Sequence, residues 1–295
     1  MPEIAISTEK LTRRFGALTA VEGMDLQVES GQFFGFLGPN GAGKSTTIKM
    51  LTGLLAPSAG RISLLGLDFA QNLVELKRQI GVVPEGMGLF ERLSAPEYLE
   101  FVGRMYGLDK ATTRKRSDEL LEFMHLADRS KTMIADYSHG MQKKLALAAA
   151  VIHGPRILFL DEPFEGVDAL AAGALKELLA RMTERGVTIF LTSHVLEIVE
   201  RLCSHVAIIK KGQLVAQGSM EQLRAGVPSV EGRTLTLEDI FLSVVGQGAD
   251  RAQLEELSWL TYLLLPDSPS RFALWLGYAG VSCATACATR AAVWT

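Results

Sequence analysis

The chain carries the stretch Gly38-Pro39-Asn40-Gly41-Ala42-Gly43-Lys44-Ser45-Thr46, which fits the phosphate-binding pattern G-x-x-x-x-G-K-[ST]. The apolar run Phe33–Leu37 before it predicts a buried strand, and residues 45–52 after it predict a helix. Glycines let the backbone N–H groups of such a loop turn toward an anion, and a helix N-terminus adds a favourable dipole. Lys44 can reach β- and γ-phosphates, and the Ser45 hydroxyl can ligate Mg²⁺. The stretch therefore predicts a nucleoside triphosphate site.

Length and composition are those of a globular intracellular protein. The 295 residues suffice for one large domain or two small ones, and 48% of them are hydrophobic, which excludes global disorder. The net charge of −3 gives no general attraction to nucleic acid. The three cysteines form neither a metal-ligand pattern nor a disulfide framework, which suits a reducing compartment. The first residues show no secretory signal.

Strand and helix patterns alternate along the chain and predict a parallel sheet wrapped by helices. Besides the strand before the loop, the predicted strands are 4–10, 24–28, 61–65, 80–83, 157–161 and 187–192, with a hairpin over 205–210 and 213–217. Besides the helix after the loop, the predicted helices are 72–78, the helical stretch 95–124, then 143–152, 168–184 and 236–244.

Three predicted buried strands lead into polar residues. Glu85 follows the run 80–83 and Pro84, Asp161 and Glu162 close the run 157–160, and His194 follows the strand 187–192. In open α/β sheets, ligands bind outside the carboxyl ends of the strands. We therefore expect these four side chains near the phosphate-binding loop.

Phe15 lies in a turn, 13–17, between the first two predicted strands. An aromatic residue there can stack on a nucleotide base, and it can equally belong to the core of a hairpin. The pattern of residues leaves both interpretations open.

The loop, Glu85, the segment 137–142, Asp161-Glu162 and His194 stand in an order that resembles the nucleotide-binding subunit of an ATP-binding-cassette (ABC) transporter. The resemblance covers residues 3–245 and implies an ABC-type ATP-binding domain there, with a helical subdomain over about 86–153. It implies an α/β P-loop NTPase fold, a RecA-like parallel sheet wrapped by helices. An N-terminal antiparallel β subdomain and an inserted α-helical subdomain complete this fold.

The resemblance also implies an ATPase and assigns residue roles. Phe15 stacks on adenine, and Glu162 polarises the attacking water while His194 contacts the γ-phosphate. The remaining nucleotide contacts fall to the loop 38–46, Glu85, Ser138 and Gly140, and the Mg²⁺ ligands are Ser45, Glu85 and Asp161.

Several positions depart from the common family pattern. Glu85 stands where the family has a glutamine, and an ionised carboxylate accepts hydrogen bonds but does not donate them. The signature segment keeps Ser138 and Gly140 but has His139 and Met141 in place of a glycine and a glutamine. These variants, with the segment 237–242, resemble the branch that works with ABC-2-type export permeases.

In this family the signature of one chain faces the phosphate-binding loop of another. The resemblance therefore implies a homodimer, or a pair with a second ATP-binding subunit, in which Ser138 acts in trans. It implies a polytopic membrane permease as partner, no nucleic acid, and a peripheral position on the cytoplasmic face of the cell membrane. The function implied is ATP-driven transport of an unknown substrate, with export favoured.

Two other classes compete with this interpretation. A soluble ABC ATPase acting on the ribosome or DNA usually carries two cassettes or a long inserted coiled coil, whereas this chain has one phosphate-binding loop. A P-loop kinase or metabolic NTPase explains Lys44 and Asp161, but it does not explain Ser138, Glu162 and His194 together.

The composition shifts after Gln247, so we assign 246–295 to a C-terminal extension, a low-complexity apolar tail. Residues 272–289 contain no charged residue. That length barely meets the need of a membrane span. Their many small residues favour a loosely packed extension instead.

Overall fold

A computed structural model describes residues 3–226 and 235–246. Its strands and helices in chain order are β1 (Ile4–Phe15), β2 (Leu18–Glu29), β3 (Phe33–Leu37), α1 (Lys44–Leu51), β4 (Ala59–Leu64), β5 (Leu67–Asp68), α2 (Leu73–Gln79), β6 (Ile80–Val83), α3 (Ala95–Met105), α4 (Lys110–Phe123), α5 (His139–Val151), β7 (Ile157–Asp161), α6 (Ala169–Glu184), β8 (Thr188–Ser193), α7 (Leu196–Leu202), β9 (His205–Lys210), β10 (Gln213–Ser219), α8 (Met220–Ala225) and α9 (Leu237–Val245).

The larger sheet has the strand order β10-β9-β3-β8-β7-β6. Its neighbours are parallel except at the edge, where β10 runs antiparallel to β9. Strands β3, β7 and β8 are buried along their whole length, as expected for parallel strands covered on both faces. Their carboxyl ends are level, because Leu37 pairs with Ser193 and Asp161 pairs with Thr192. The polar residues that follow these strands therefore meet at one edge.

Successive residues of the central strands pack into opposite layers. Phe34 and Phe36 of β3 join Phe159 and Phe190 on the face covered by the smaller sheet and α1, and ring centroids there lie 5.3–5.7 Å apart. Their neighbours pack on the other face, against α5, α6 and α7. This alternation of side chains builds two cores on one sheet.

The smaller sheet is antiparallel, with the order β2-β1-β4-β5. Strands β1 and β2 each have 12 residues and meet at a two-residue turn, where Gly16 has φ +56°. The predicted strands 4–10 and 24–28 were too short. Register shifts at Leu11 and Arg13 interrupt the two-residue period on which that prediction depends.

The stretch predicted to be helical over 95–124 forms two helices. Ser94 and Glu97 make a capping box at the start of α3, and the Asp109 side chain caps α4 by accepting from the Thr112 N–H. Two 3₁₀ turns, Ala127–Arg129 and Ile134–Asp136, lead from α4 to α5.

Other boundaries differ at places where a local signal was missed. Helix α5 begins at His139 and not at Lys143, because the Ser138 side chain caps it by accepting from the Met141 N–H. Helices α7 and α8 were not predicted at all. They have seven and six residues, too few for a periodic pattern to stand out.

The two sheets and their covering helices confirm the predicted fold class. The described residues up to Val245 belong to one compact unit, and the predicted domain boundaries stay a prediction. The predicted extension 246–295 lies outside the described residues, apart from Gly246. Within 3–226 and 235–246, no helix has the length and apolar composition needed to cross a membrane.

Candidate active site

The phosphate-binding loop connects β3 to α1 and leaves no room for side chains at two of its glycines. A Cβ on Gly38 would lie 2.4 Å from the Ile209 carbonyl oxygen, and one on Gly43 would lie 2.6 Å from that of Ala20. Gly43 also has φ +111°, a backbone conformation that other residues rarely adopt. The sequence pattern therefore corresponds to a loop held tightly against β2 and β9.

Lys44 is only 7% exposed, and its ammonium is held over its own loop. The Nζ atom donates to the carbonyl oxygens of Gly38 at 2.8 Å and Pro39 at 3.5 Å. It also lies 3.9 Å from Oε1 of Glu162. The cation thus stands between the phosphate-binding loop and the carboxylate that follows β7.

Ser45 and Asp161 meet at the carboxyl end of β7. The Ser45 hydroxyl lies 3.4 Å from Oδ1 of Asp161, and the Thr192 hydroxyl donates to the same oxygen at 2.6 Å. Asp161 is almost completely buried, so this second hydrogen bond fixes the carboxylate. The neighbouring hydroxyl and carboxylate oxygens are ligands of the kind that Mg²⁺ prefers.

Glu162 follows Asp161 in a left-handed backbone conformation, with φ +49°. Its N–H donates to the Thr192 carbonyl at 3.2 Å, which ties it to β8. Its Oε2 accepts from the His194 N–H at 3.2 Å and lies 2.9 Å from Nδ1 of the same residue. Because an ionised carboxylate only accepts, Nδ1 of His194 is the donor in this contact.

A cavity of about 530 Å³ collects most of the predicted site residues. Those that line it are Phe15, Pro39, Asn40, Gly41, Gly43, Lys44, Ser45, Thr46, Glu85, Glu162 and His194. Leu18, Ala20 and Glu165 line it as well. Three predicted residues, Gly38, Ala42 and Asp161, are buried and are not part of the lining.

Ser138 and Gly140 do not line this cavity. They lie at the start of α5, where Ser138 is the N-cap. A Cβ on Gly140 would lie 3.1 Å from Oδ2 of Asp168, and Nε2 of His139 lies 3.3 Å from the Glu165 carbonyl oxygen. The departure at His139 is thus accommodated by the chain's own loop after β7.

Phe15 is 44% exposed and stands at the rim of the cavity, which excludes the hairpin-core interpretation. The Arg13 guanidinium lies over its ring, 4.5 Å from the centroid. Arg13 is in turn held by a hydrogen bond of 2.8 Å from Nη1 to the Ala56 carbonyl. Stacking of a base on Phe15 stays a prediction.

Three residues have clear roles in this geometry that the sequence analysis did not predict. Thr192 holds Asp161, Arg13 backs the Phe15 ring, and Lys143 donates to the Glu162 carbonyl at 3.1 Å. A threonine that ends an apolar strand and a lysine within an Ala/Leu-rich helix were the available signals. Neither signal identifies a partner, because each contact crosses between elements distant in sequence.

Residues 21–165 match the model of the ABC transporter family. Among curated proteins, the chain is 38% identical over 218 residues to linearmycin resistance ATP-binding protein LnrL of Bacillus subtilis (strain 168), covering 74% of this chain and 70% of that protein. It is 34% identical over 287 residues to Nod factor export ATP-binding protein I of Paraburkholderia xenovorans (strain LB400), covering 90% of this chain and 94% of that protein.

Solved structures share the fold. An ATP-binding subunit of an ABC transporter superposes with a TM-score of 0.75 at 31% identity, covering 81% of this chain and 99% of that chain. A dimeric ATP-binding cassette, MJ0796, bound to ADP and Pi has a TM-score of 0.67 at 24% identity, covering 73% of this chain and 98% of that chain.

Proposed function

This chain belongs to the ABC transporter family as an ATP-binding subunit and hydrolyses ATP to power transport, and we propose that hydrolysis occurs in the cavity beside Glu162. The observation that carries this proposal is the contact of the Glu162 carboxylate with both His194 and Lys44. The contact holds three groups together at one edge of the sheet: a carboxylate that can orient the attacking water, a histidine, and a cation that can bind phosphate.

Each side chain then has a definite task. Lys44 and the loop N–H groups bind the β- and γ-phosphates, and Phe15 stacks on adenine. Glu162 orients and polarises the attacking water, and His194 contacts the γ-phosphate. Catalysis of this kind depends mostly on positioning and electrostatics, because the phosphoryl group itself needs little covalent chemistry from the protein.

Ser45 and Asp161 would hold Mg²⁺ together with the phosphate oxygens, and Glu85 lies on the same cavity. Among the described residues, no group of three or more His, Cys, Asp or Glu side chains forms a metal cage. Two protein oxygens beside a phosphate site suit Mg²⁺, which keeps waters and phosphates among its ligands. When bound, the ion neutralises charge on the β- and γ-phosphates.

We propose that two copies, or this chain and a second ATP-binding subunit, enclose ATP between them. Ser138 and Gly140 support this arrangement because they lie at the N-terminus of a 13-residue helix but outside the cavity of their own chain. Ser138 is exposed there, so it and the helix N-terminus can contact the γ-phosphate of ATP bound by a partner. ATP favours the closed pair, and loss of the γ-phosphate lets it open.

The membrane partner would be a polytopic permease, with the chain bound at the cytoplasmic face. Export is the direction that the relatives support, since one is named for Nod factor export and another for linearmycin resistance. Glu85 and the helices after it would carry the movement to the permease. We assign contacts with the cargo to that permease.

The test uses a tagged E162Q chain with ATP, recovered from gently solubilised native membranes. A double variant, K44A/E162Q, is the matched control because it lacks the cation for the phosphates. We expect a polytopic membrane protein to be recovered with E162Q and its recovery to fall in the control. Recovery of ribosomes or DNA-repair proteins, with the chain absent from the membrane fraction, would overturn the proposal.

The pairing is tested on purified protein by mass measured in solution. E162Q is expected to double its mass when ATP is added, and K44A/E162Q is not. Ser138→Arg in the E162Q chain should abolish the doubling while leaving ATP binding within about twofold. A chain that stays monomeric with bound ATP would contradict the enclosed-ATP arrangement.

A further inference from the structure

Lys143 is a buried cation for which the proposed function has no task. It lies on α5, little more than one turn after the Ser138 cap, and is 3% exposed. Its Nζ donates to the backbone carbonyl of Glu162 at 3.1 Å. In the described part of the chain, none of the ion pairs involves Lys143. Its one hydrogen bond therefore goes to the backbone of the catalytic segment.

The surroundings of this ammonium are acidic but not in direct contact with it. Burial lowers the pKa of Lys143, and the charges of Glu165, Glu85, Asp161 and Glu162 oppose that effect. A lysine is almost never fully buried without compensating charge. The acids of the site thus keep a cation inside the protein, and the hydrogen bond directs it to one carbonyl.

That carbonyl belongs to a residue in a disfavoured conformation. Glu162 has φ +49°, which residues other than glycine adopt rarely and mostly where surrounding structure holds them. On its amide side, Glu162 is held by the Thr192 carbonyl at 3.2 Å. On its carbonyl side, the Glu162 oxygen accepts from Nζ of Lys143 at 3.1 Å and from the Glu165 N–H of the same turn at 3.3 Å. Lys143 is the side-chain donor among these contacts, and together they hold the backbone of Glu162 at both ends.

We propose that Lys143 is a positioning residue for ATP hydrolysis, because its hydrogen bond keeps the Glu162 backbone in the turn that presents the carboxylate to His194 and Lys44. This inference rests on the proposed role of Glu162. Lys143 does not line the nucleotide cavity, so it acts on the hydrolytic step and not on ATP binding. It also connects the helix capped by Ser138 to the hydrolytic carboxylate of the same chain.

The experiment compares K143M, K143A and K143Q with the unmodified chain. Met keeps the length of the side chain without a donor, Ala removes it, and Gln supplies a neutral N–H donor. The matched control is K144M, which changes the neighbouring lysine, a partly exposed residue of the same helix. Measured quantities are kcat, KM, the Kd of a fluorescent ATP analogue, and Tm.

We expect K143M and K143A to lower kcat by about 10- to 100-fold, since small misplacements of a catalytic group cost that much. The Kd for the ATP analogue should stay within about twofold. K143Q should recover a large part of kcat, and K144M should behave as the unmodified chain. K143A avoids any clash that the methionine of K143M makes with its surroundings. The kcat of either variant, provided that it folds, therefore tests the role of Lys143.

A K143M or K143A chain with unchanged kcat overturns the inference. A fall in kcat that comes with a higher Kd and a lower Tm, and that K143Q does not relieve, overturns it as well. That pattern indicates a lysine with a merely structural role. The proposed function is judged separately, by hydrolysis in the unmodified chain and its loss in E162Q. If those two fail, the assignment of Glu162 fails whatever the Lys143 variants do.

Discussion

Nδ1 of His194 lies 2.9 Å from Oε2 of Glu162, and the backbone N–H of His194 donates to that same oxygen at 3.2 Å. The two residues come from the ends of adjacent strands, β7 and β8, and the contact is largely shielded from water on the Glu162 side. One carboxylate oxygen is therefore fixed in direction, while Oε1 faces Lys44.

Replacing Glu162 with Gln removes the carboxylate but keeps its shape. We expect E162Q to lower kcat by about 100-fold or more, as is typical when a general base is lost, with ATP affinity nearly unchanged. Steady-state phosphate release and equilibrium binding measure the two quantities. E197Q, an exposed carboxylate of α7, is the control. Turnover by E162Q at the unmodified rate would refute the catalytic assignment.

His194 is expected to act together with Glu162. H194A should lower kcat substantially, and adding H194A to E162Q should lower it much less than in the unmodified chain, because residues that act as a unit are not additive. The four rates of this double-mutant cycle measure the coupling. Losses that simply multiply would show that the two side chains act independently.

Lys44 is expected to determine affinity for the phosphates. K44A removes a charge-assisted contact, which is worth about 1.5–3 kcal/mol, so the Kd for ATP should rise by about 10- to 150-fold. Isothermal titration with ATP measures this directly. K49A, a lysine on the exposed side of the same helix, is the control. If K44A bound ATP as tightly as the unmodified chain, Lys44 and its loop would not be part of the nucleotide site.

Phe15 is expected to bind the base and not the phosphates. F15A should weaken ATP binding by about 1–3 kcal/mol, the usual value of a base–aromatic stack, while inorganic triphosphate binds unchanged. R13A should cause a smaller loss of about 0.5–1 kcal/mol, because it removes the cation on the Phe15 ring but leaves the ring itself. A loss shared equally by ATP and triphosphate would place Phe15 outside the base site.

His153 predicts a pH dependence of stability. Burial lowers its pKa to about 4, and its ring stacks on Tyr106 at 3.6 Å while Nε2 lies 3.0 Å from the Ile80 carbonyl. The unfolded chain binds this proton near pH 6.5, so the folded state loses stability as the pH falls from about 6.5 to about 4. Above pH 6.5 this contribution is constant.

Urea unfolding at pH 7 and pH 5 measures that loss. In H153Q, which keeps an N–H donor but does not titrate, the difference between the two pH values should shrink. The exposed His125 supplies the control H125N, in which the difference should persist. An unchanged pH difference in H153Q would exclude His153 as its source.

The elements of the site that are local in the chain can be recognised from the amino-acid sequence. The loop 38–46 is recognisable because its glycines, Lys44 and Ser45 act through backbone shape and chain direction within nine residues. Glu85, Asp161-Glu162 and His194 were placed at one edge because parallel strands end together. The fold class and the family followed from the order of these motifs.

The side chains that hold the reacting groups in place are identified by contacts between elements far apart in the chain. The contact of Thr192 with Asp161 spans 31 residues and that of Lys143 with Glu162 spans 19, so no local period predicts either. The left-handed turn at Glu162 is likewise maintained by partners from β8 and α5 and not by a glycine. Hydrogen bonds between packed elements depend on how sheets and helices meet, and that information is absent from any single stretch of chain.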